Sequence, residues 1–239
     1  MLSAERRLQI NDPKVSRFDF DLAANSYDSW YTSRRGAMYD HLEKKLIAKF
    51  LPAKAKGQEL LDVGCGTGHW SQVFSEYGFE VTGVDISERM INTALQKGIP
   101  SVSFHVADGH LLPFADNSFD LTAAITALEF VRDTVAVLQE MIRCTRKPGR
   151  ILLGVLNGLS EVNRQRQRQY RAENPYAAAR LFSPVELKEF LEPYGPVEIG
   201  VGGFVPARSW LVPLAPWFDR IARMFGSQKG AFIAAVLEL

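Results

Sequence analysis

Apolar positions along the chain change their period more than once, and the changes mark out its elements. From Met38 to Phe50, Leu42, Leu46, Ile47 and Phe50 fall at helical spacing, with Lys44, Lys45 and Lys49 on the other face. Pro52 and Gly57 end that pattern. The first fifty or so residues read as helical, with a turn near Ser33 to Gly36. The chain then alternates. Short apolar runs predict strands over Glu59 to Val63, Glu80 to Val84, Val102 to Val106, Phe119 to Thr126 and Arg150 to Leu156. Between them, helices are predicted over Trp70 to Tyr77, Ser87 to Lys97 and Asp133 to Thr145. Ser87 caps the second of these and Gly98 closes it, while Lys147-Pro148-Gly149 ends the third. Strands joined through helices of this length imply a parallel sheet with helices on both faces, because parallel neighbours need a crossover connection.

Past Asn157 the rhythm changes. Residues Glu161 to Arg180 are polar and rich in arginine, and Ser183-Pro184-Val185-Glu186 opens another helix with an N-cap, a first-turn proline and an acid. Val197 to Val201 and Ala231 to Leu237 read as two further strands. Between them lies an apolar stretch containing Trp210, Leu211, Leu214, Trp217, Phe218, Ile221 and Phe225. The whole reads as a single domain: residues 1–56 as a helical lid, 57–157 as a binding core, and 158–239 as a cap with the last strands.

Composition narrows the function. With 28 Lys plus Arg against 27 Asp plus Glu, the net charge of +1 leaves no electrostatic footprint for a nucleic-acid partner. Two cysteines, Cys65 and Cys144, are too few for a disulfide framework and suit a reducing compartment. The first residues lack a signal-peptide core, and no apolar run approaches the roughly 18 residues of a membrane span. A cytoplasmic protein is the expectation.

The sharpest local signal is Leu60-Leu61-Asp62-Val63-Gly64-Cys65-Gly66-Thr67-Gly68, a strand that delivers three alternate glycines into a helix. Glycine admits positive φ and a close ligand approach. A dinucleotide fingerprint would place its third glycine or alanine at position 69, which is His69, and a phosphate-binding loop would need Gly-Lys-Ser/Thr, which is absent. The spacing suits a nucleoside with an amino-acid tail and no pyrophosphate. Val81-Thr82-Gly83-Val84-Asp85 then places a carboxylate at the second strand's end, where it can accept from both ribose hydroxyls. Asp85 as a plain helix N-terminal acid is the competing reading. Val106-Ala107-Asp108-Gly109 supplies a third strand-end acid that can accept from an adenine amino group, with Ile86 or Leu111 to sandwich the ring.

Together these stretches, with VADGHLLPFADNSFD and LQEMIRCTRKPGRILLGV, resemble the class I S-adenosylmethionine-dependent methyltransferases, particularly the branch of the ubiquinone/menaquinone biosynthesis enzymes. The likeness spans roughly residues 58–157. It implies a Rossmann-like, doubly wound α/β fold whose seven-stranded sheet is mostly parallel with an antiparallel last strand. It also implies S-adenosyl-L-methionine as cofactor. Asp62 and the loop Gly64, Cys65, Gly66 and Gly68 would hold its methionine moiety, Asp85 the ribose, and Ala107, Asp108 and Gly109 the adenine, with Ile86 against the ring. Thr126 would meet the amino-acid end, and Tyr27 or Tyr31 in the N-terminal segment would close over the sulfonium through cation–π attraction of about 1 kcal/mol. Packing of those tyrosines on the sheet is the alternative.

Methyl transfer from a sulfonium is an in-line displacement, which calls for alignment and water exclusion more than for a catalytic pair. Glu129, near the end of the fourth strand, is the candidate proton acceptor; no metal site is expected. The acceptor is expected to be a small apolar, quinone- or lipid-like molecule. The arginines from Arg164 to Arg171 read either as a grip on an anionic acceptor or as a solvated helix face. Residues 204–225 read as an acceptor cover, a peripheral membrane contact, or a packed lid or dimer contact. A non-catalytic nucleoside-binding scaffold of the same fold is the rival function, and the oligomeric state is not legible.

Overall fold

Leu60 and Leu61 are adjacent and both wholly buried, yet they enter different cores. A strand covered on both faces does this, because successive side chains point to opposite sides. The structure, a computed structural model, describes residues 16–24, 26–53, 55–169 and 175–239. Among these, seven strands form one sheet: β1 (Glu59–Val63), β2 (Glu80–Asp85), β3 (Val102–Val106), β4 (Phe119–Ile125), β5 (Thr145–Leu156), β6 (Val197–Gly202) and β7 (Phe232–Glu238). Their order is β3-β2-β1-β4-β5-β7-β6. The first five run parallel, and β7 lies antiparallel between β5 and β6. The expected mostly parallel sheet with an antiparallel last strand is what the chain forms.

Nine α-helices flank the sheet among the described residues: α1 (Ser29–Thr32), α2 (Arg34–Ile47), α3 (His69–Glu76), α4 (Glu88–Gln96), α5 (Thr134–Cys144), α6 (Glu161–Arg168), α7 (Pro175–Ala178), α8 (Pro184–Leu191) and α9 (Ala215–Met224). On one face Leu61, Ala124 and Leu153 pack with Val137, Leu138 and Met141 of α5 and Leu187 and Leu191 of α8. On the other, Leu60, Ala123 and Leu152 pack with Leu46 and Ile47 of α2 and Trp70 and Phe74 of α3. Each of the larger aliphatic and aromatic side chains contributes about 1.5–3 kcal/mol by leaving water. Cys144 is fully buried in the first core.

The elements depart from expectation in three places. The turn near Ser33 to Gly36 shrinks to Ser33, which caps α2 by accepting from the Gly36 N–H at 3.0 Å. The helix begins at Arg34 because Gly36 lies hard against the Trp30 carbonyl, where a Cβ would come within 1.9 Å. Second, β5 starts at Thr145, inside the span expected to be helix and turn. Thr145 pairs with Phe119 but Arg150 with Leu121, so the residues between them bulge out of the ladder. Third, the polar and apolar stretches after Asn157 are helical in part: α6, a 3₁₀ segment over Ser209–Leu214, and α9. No helix among the described residues is long and apolar enough to cross a membrane.

Candidate functional site

Strand order reverses between β1 and β4, and the strand ends diverge there to leave a cleft, as open α/β sheets do. The glycine loop forms its floor. Gly64, Gly66 and Gly68 take φ of +75°, +54° and +80°, a region that side chains penalise. At Gly64 the demand is double, since a Cβ would also stand 2.5 Å from the Ala127 Cβ. The loop is tied to β2 by N–H bonds from Gly64 and Cys65 to the Val84 carbonyl, at 2.8 and 3.0 Å. Asp85 completes the tie: one oxygen accepts from Gly66 N at 2.9 Å, the other from Ser87 N at 2.8 Å. Burial pushes its pKa up, and those two backbone donors pull it back.

The cleft holds about 740 Å³ of empty space, open mouth included. Of the residues expected to bind a cofactor, Tyr27, Gly64, Gly66, Asp85, Ile86, Ala107, Asp108, Gly109 and Thr126 line it. Asp108 Oδ1 accepts from the His110 backbone at 2.9 Å and lies 2.6 Å from its Nδ1. Burial opposes its ionisation, but these hydrogen bonds outweigh that and hold its carboxyl below the usual value. Thr126 is a β-branched residue at φ +51°, a strained conformation of the kind that gathers at working sites.

Other expectations fall elsewhere. Asp62 sits behind the loop, buried, accepting from Ser71 Oγ at 2.7 Å, with burial raising its pKa to about 7. Cys65 packs with Ile91, Ala94 and Phe104 rather than into the cleft, and burial pushes its thiol up. Gly68 is the N-cap residue of α3. Leu111, one of two candidates to cover an adenine ring, is 77% exposed, while Ile86 is in place. Glu129 is fully buried and outside the linings of this cleft and the chamber beside it. Its Oε1 accepts from Leu156 N at 2.5 Å, its Oε2 has no partner, and burial raises its pKa to about 8.

A second chamber adjoins the cleft, with about 940 Å³ of empty space, mouth included. Phe20, Tyr27, Thr126 and Phe130 line both. Its remaining walls include Trp30, Tyr31, Glu43, Leu156, Arg166 and Tyr176. The N-terminal segment crosses over the two and is fastened at each side. Arg17 N donates to the Phe130 carbonyl at 2.7 Å, Ser87 Oγ to Asp21, and Thr67 Oγ1 to Asp28 at 2.6 Å. Asp28 also pairs with Lys97 at 2.7 Å. Tyr31 stacks on His69 with ring centres 3.7 Å apart, and His69 Nε2 lies 2.6 Å from Asp40.

Residues 61–153 match the family model described as a methyltransferase domain. The chain is 34% identical over 240 aligned positions to the 2-methyl-6-phytyl-1,4-hydroquinone methyltransferase of Synechocystis, covering 84% of this chain and 72% of that one. It is 33% identical over 148 positions to the demethylmenaquinone methyltransferase of Corynebacterium kroppenstedtii, covering 62% of each. An S-adenosylmethionine-dependent methyltransferase from Thermotoga maritima shares the fold with a TM-score of 0.71 at 22% identity, over 92% of this chain and 97% of that one. The chain belongs to the class I S-adenosylmethionine-dependent methyltransferases. It falls in their ubiquinone/menaquinone-type branch and methylates with S-adenosyl-L-methionine.

The cleft of this methyltransferase fits that cofactor. It has Gly64 and Gly66 in its floor and a carboxylate at each of two neighbouring strand ends, and it runs under an aromatic cover at Tyr27. Glu43, Tyr176 and Phe20 were not singled out in the sequence, and Arg166 entered it only as one of the run Arg164 to Arg171. For Glu43 a signal existed: it follows Tyr39 by four and precedes Leu46 by three, which puts an acid on the apolar face of α2. Burial chiefly, and then Asp40, raise its pKa to about 7 against the pull of Arg166 and Lys44. The arginine run splits: Arg164 pairs with Glu161 at 2.8 Å, while the Arg166 guanidinium turns inward over Trp30 at 4.6 Å and over Tyr39 and Tyr176 at 5.1 Å. Arg171 lies outside the described residues.

Proposed function

We propose that this methyltransferase acts on a small apolar, quinone- or lipid-like acceptor held in the second chamber, and that Glu43 takes the acceptor's proton. The observation that carries the reading is the shared wall: an aromatic-lined chamber meets the cofactor cleft at Phe20, Tyr27, Thr126 and Phe130. A flat ring seated among Tyr31, Trp30 and Tyr176 gains burial and edge or face contacts, and needs few polar partners. The hydroquinone and demethylmenaquinone relatives support the same class of acceptor.

When bound, S-adenosyl-L-methionine would supply an electrophilic methyl group, with the neutral thioether S-adenosylhomocysteine as leaving group. The residues do the rest. Asp85 accepts from the ribose hydroxyls and Asp108 from the adenine amino group. The loop from Gly64 to Gly68 lets the amino-acid end approach its backbone, and Asp62 supports that loop from behind through Ser71. Tyr27 presents its ring at the junction, and the stapled N-terminal segment keeps water out. Glu43 carries a pKa near the working pH, where a proton acceptor is most effective. Glu129 does not inherit that role, because it lies behind the chamber wall and is held protonated by its burial.

The test is a screen of reduced quinones, small phenols and lipids for methyl transfer, followed by Glu43→Gln. With an active hydroquinone in hand, kcat should fall by roughly 10²–10⁴, with S-adenosylhomocysteine affinity unchanged. The wild-type rate should rise with pH through about 7 as Glu43 ionises. Turnover only of polar amines, or full activity in Glu43→Gln, would sink the proposal.

A further inference from the structure

The last helix is packed inside out. In α9 the face turned toward the protein carries Ala215, Asp219, Ala222 and Arg223, whereas Trp217, Met224 and the following Phe225 face solvent. Asp219 is only 2% exposed; it accepts from Gly203 N at 2.8 Å and Phe204 N at 3.2 Å and pairs with Arg223 at 2.8 Å. These bonds fix the rotation of the helix, so its apolar side cannot turn inward without stranding a buried carboxylate. Trp217 is 59% exposed, Phe225 79%, and Trp210 on the preceding 3₁₀ segment 68%. Arg35 holds the approach to that segment against α2 through the Pro206 and Ala207 carbonyls, at 3.0 and 2.7 Å.

Within this segment the exposed charge has one sign, while Glu161 and Glu198 of neighbouring elements stand at its edges. From Gly203 to Gly230 the sequence holds Arg208, Arg220, Arg223 and Lys229 against the single acid Asp219, which is buried and already paired with Arg223. Arg208, Arg220 and Lys229 are exposed. Tryptophan and phenylalanine rimmed by arginine and lysine on a short, non-spanning helix is the chemistry of a surface that lies in a lipid interface. Uncompensated positive charge selects anionic headgroups.

We infer that residues 203–230 form a docking surface for an anionic bilayer. The surface stands without any assumption about the acceptor. It gains a purpose if the acceptor is lipid-like, a link that rests on the reading above. A groove with about 1640 Å³ of empty space, open solvent included, runs between this segment and α6 past Phe204, Leu211 and Phe218. Trp30 and Arg166 line both that groove and the acceptor chamber. Trp30 and Arg166 thus form the wall between the groove and the chamber.

Co-sedimentation of the full chain with vesicles tests this, with no cofactor or acceptor present. Binding is expected to vesicles of phosphatidylcholine with phosphatidylglycerol, and not to phosphatidylcholine alone. A W217S/F225S variant should lower the partition coefficient by about tenfold or more, since two large side chains lose their burial. R208E/R220E should weaken it to a similar extent and remove its sensitivity to salt. Neither variant touches the cofactor cleft, so unchanged S-adenosylhomocysteine binding certifies their folding. Absence of binding to either vesicle overturns the inference. So does a concentration-dependent dimer in light scattering that W217S/F225S abolishes, because the face is then covered by a second copy. Failure of the hydroquinone screen leaves this result standing, and failure here leaves the screen standing.

Discussion

The cofactor cleft and the acceptor chamber share a wall of four residues, yet they are assembled by opposite means. The cleft is made of consecutive strand ends and one loop, and most of its geometry belongs to the backbone: three left-handed glycines, two N–H bonds to Val84 and two more to Asp85. The chamber is made of side chains that the chain brings from distant stretches, at Phe20 to Tyr31, Glu43, Thr126 to Phe130, Leu156, Arg166, and Pro175 with Tyr176. A backbone cradle tolerates almost no variation at its glycines but binds one ligand shape. A side-chain chamber is replaceable wall by wall, so acceptor choice can change while the cofactor site stays the same.

That contrast is open to attack in order of expected size. Gly64→Ala places a Cβ 2.5 Å from Ala127 at φ +75°, and should abolish measurable S-adenosylhomocysteine binding in calorimetry while the fold survives by circular dichroism. Asp85→Ala removes two charge-assisted hydrogen bonds worth roughly 1.5–3 kcal/mol each, so affinity should drop by about 10²-fold or more. An unchanged affinity in either variant would mean that the cleft is not a backbone cradle. On the chamber side, Tyr176→Ala should raise the acceptor KM by about tenfold, with cofactor affinity unaltered. A parallel loss of cofactor binding would erase the distinction between the two regions.

The smallest effect concerns stability. Glu129 and Asp62 bind a proton in the folded state up to pH of about 8 and 7, against ordinary values of 4.5 and 3.8. Between those limits the folded chain holds more protons than the unfolded one, so stability is greatest at the acid end of the window and falls as pH rises through it. The melting temperature should therefore decline between about pH 5 and pH 9. Glu129→Gln should flatten part of that slope, because the amide stays neutral throughout. An equal slope in wild type and variant would show that Glu129 ionises normally.

The same contrast explains what the sequence disclosed. The cleft was legible because a local motif encodes it: the spacing of Gly64, Gly66 and Gly68 and the strand-end acids Asp85 and Asp108 can be read without knowing any long-range contact. Asp62 and Cys65 stand in the same motif and Glu129 follows β4, yet all three side chains are buried: Asp62 by the alternation of its strand, Cys65 by packing with Ile91, Ala94 and Phe104. The chamber was legible only in pieces. The aromatic segment Tyr27 to Tyr31 and the arginine run around Arg166 were visible, but Glu43 and Tyr176 join them only through packing of α2, α6 and α7. The apolar run from Trp210 to Phe225 gave its composition but not its rotation. That depends on Asp219 reaching Gly203, sixteen residues away in the chain.

The stapled N-terminal segment has a kinetic consequence. Phe20 and Tyr27 are walls of both cavities, and Asp21 and Asp28 hold their segment to Ser87 and Thr67. The two cavities thus have a common door. Release of those bonds would open both sites together, so loading and unloading are coupled through one short strap.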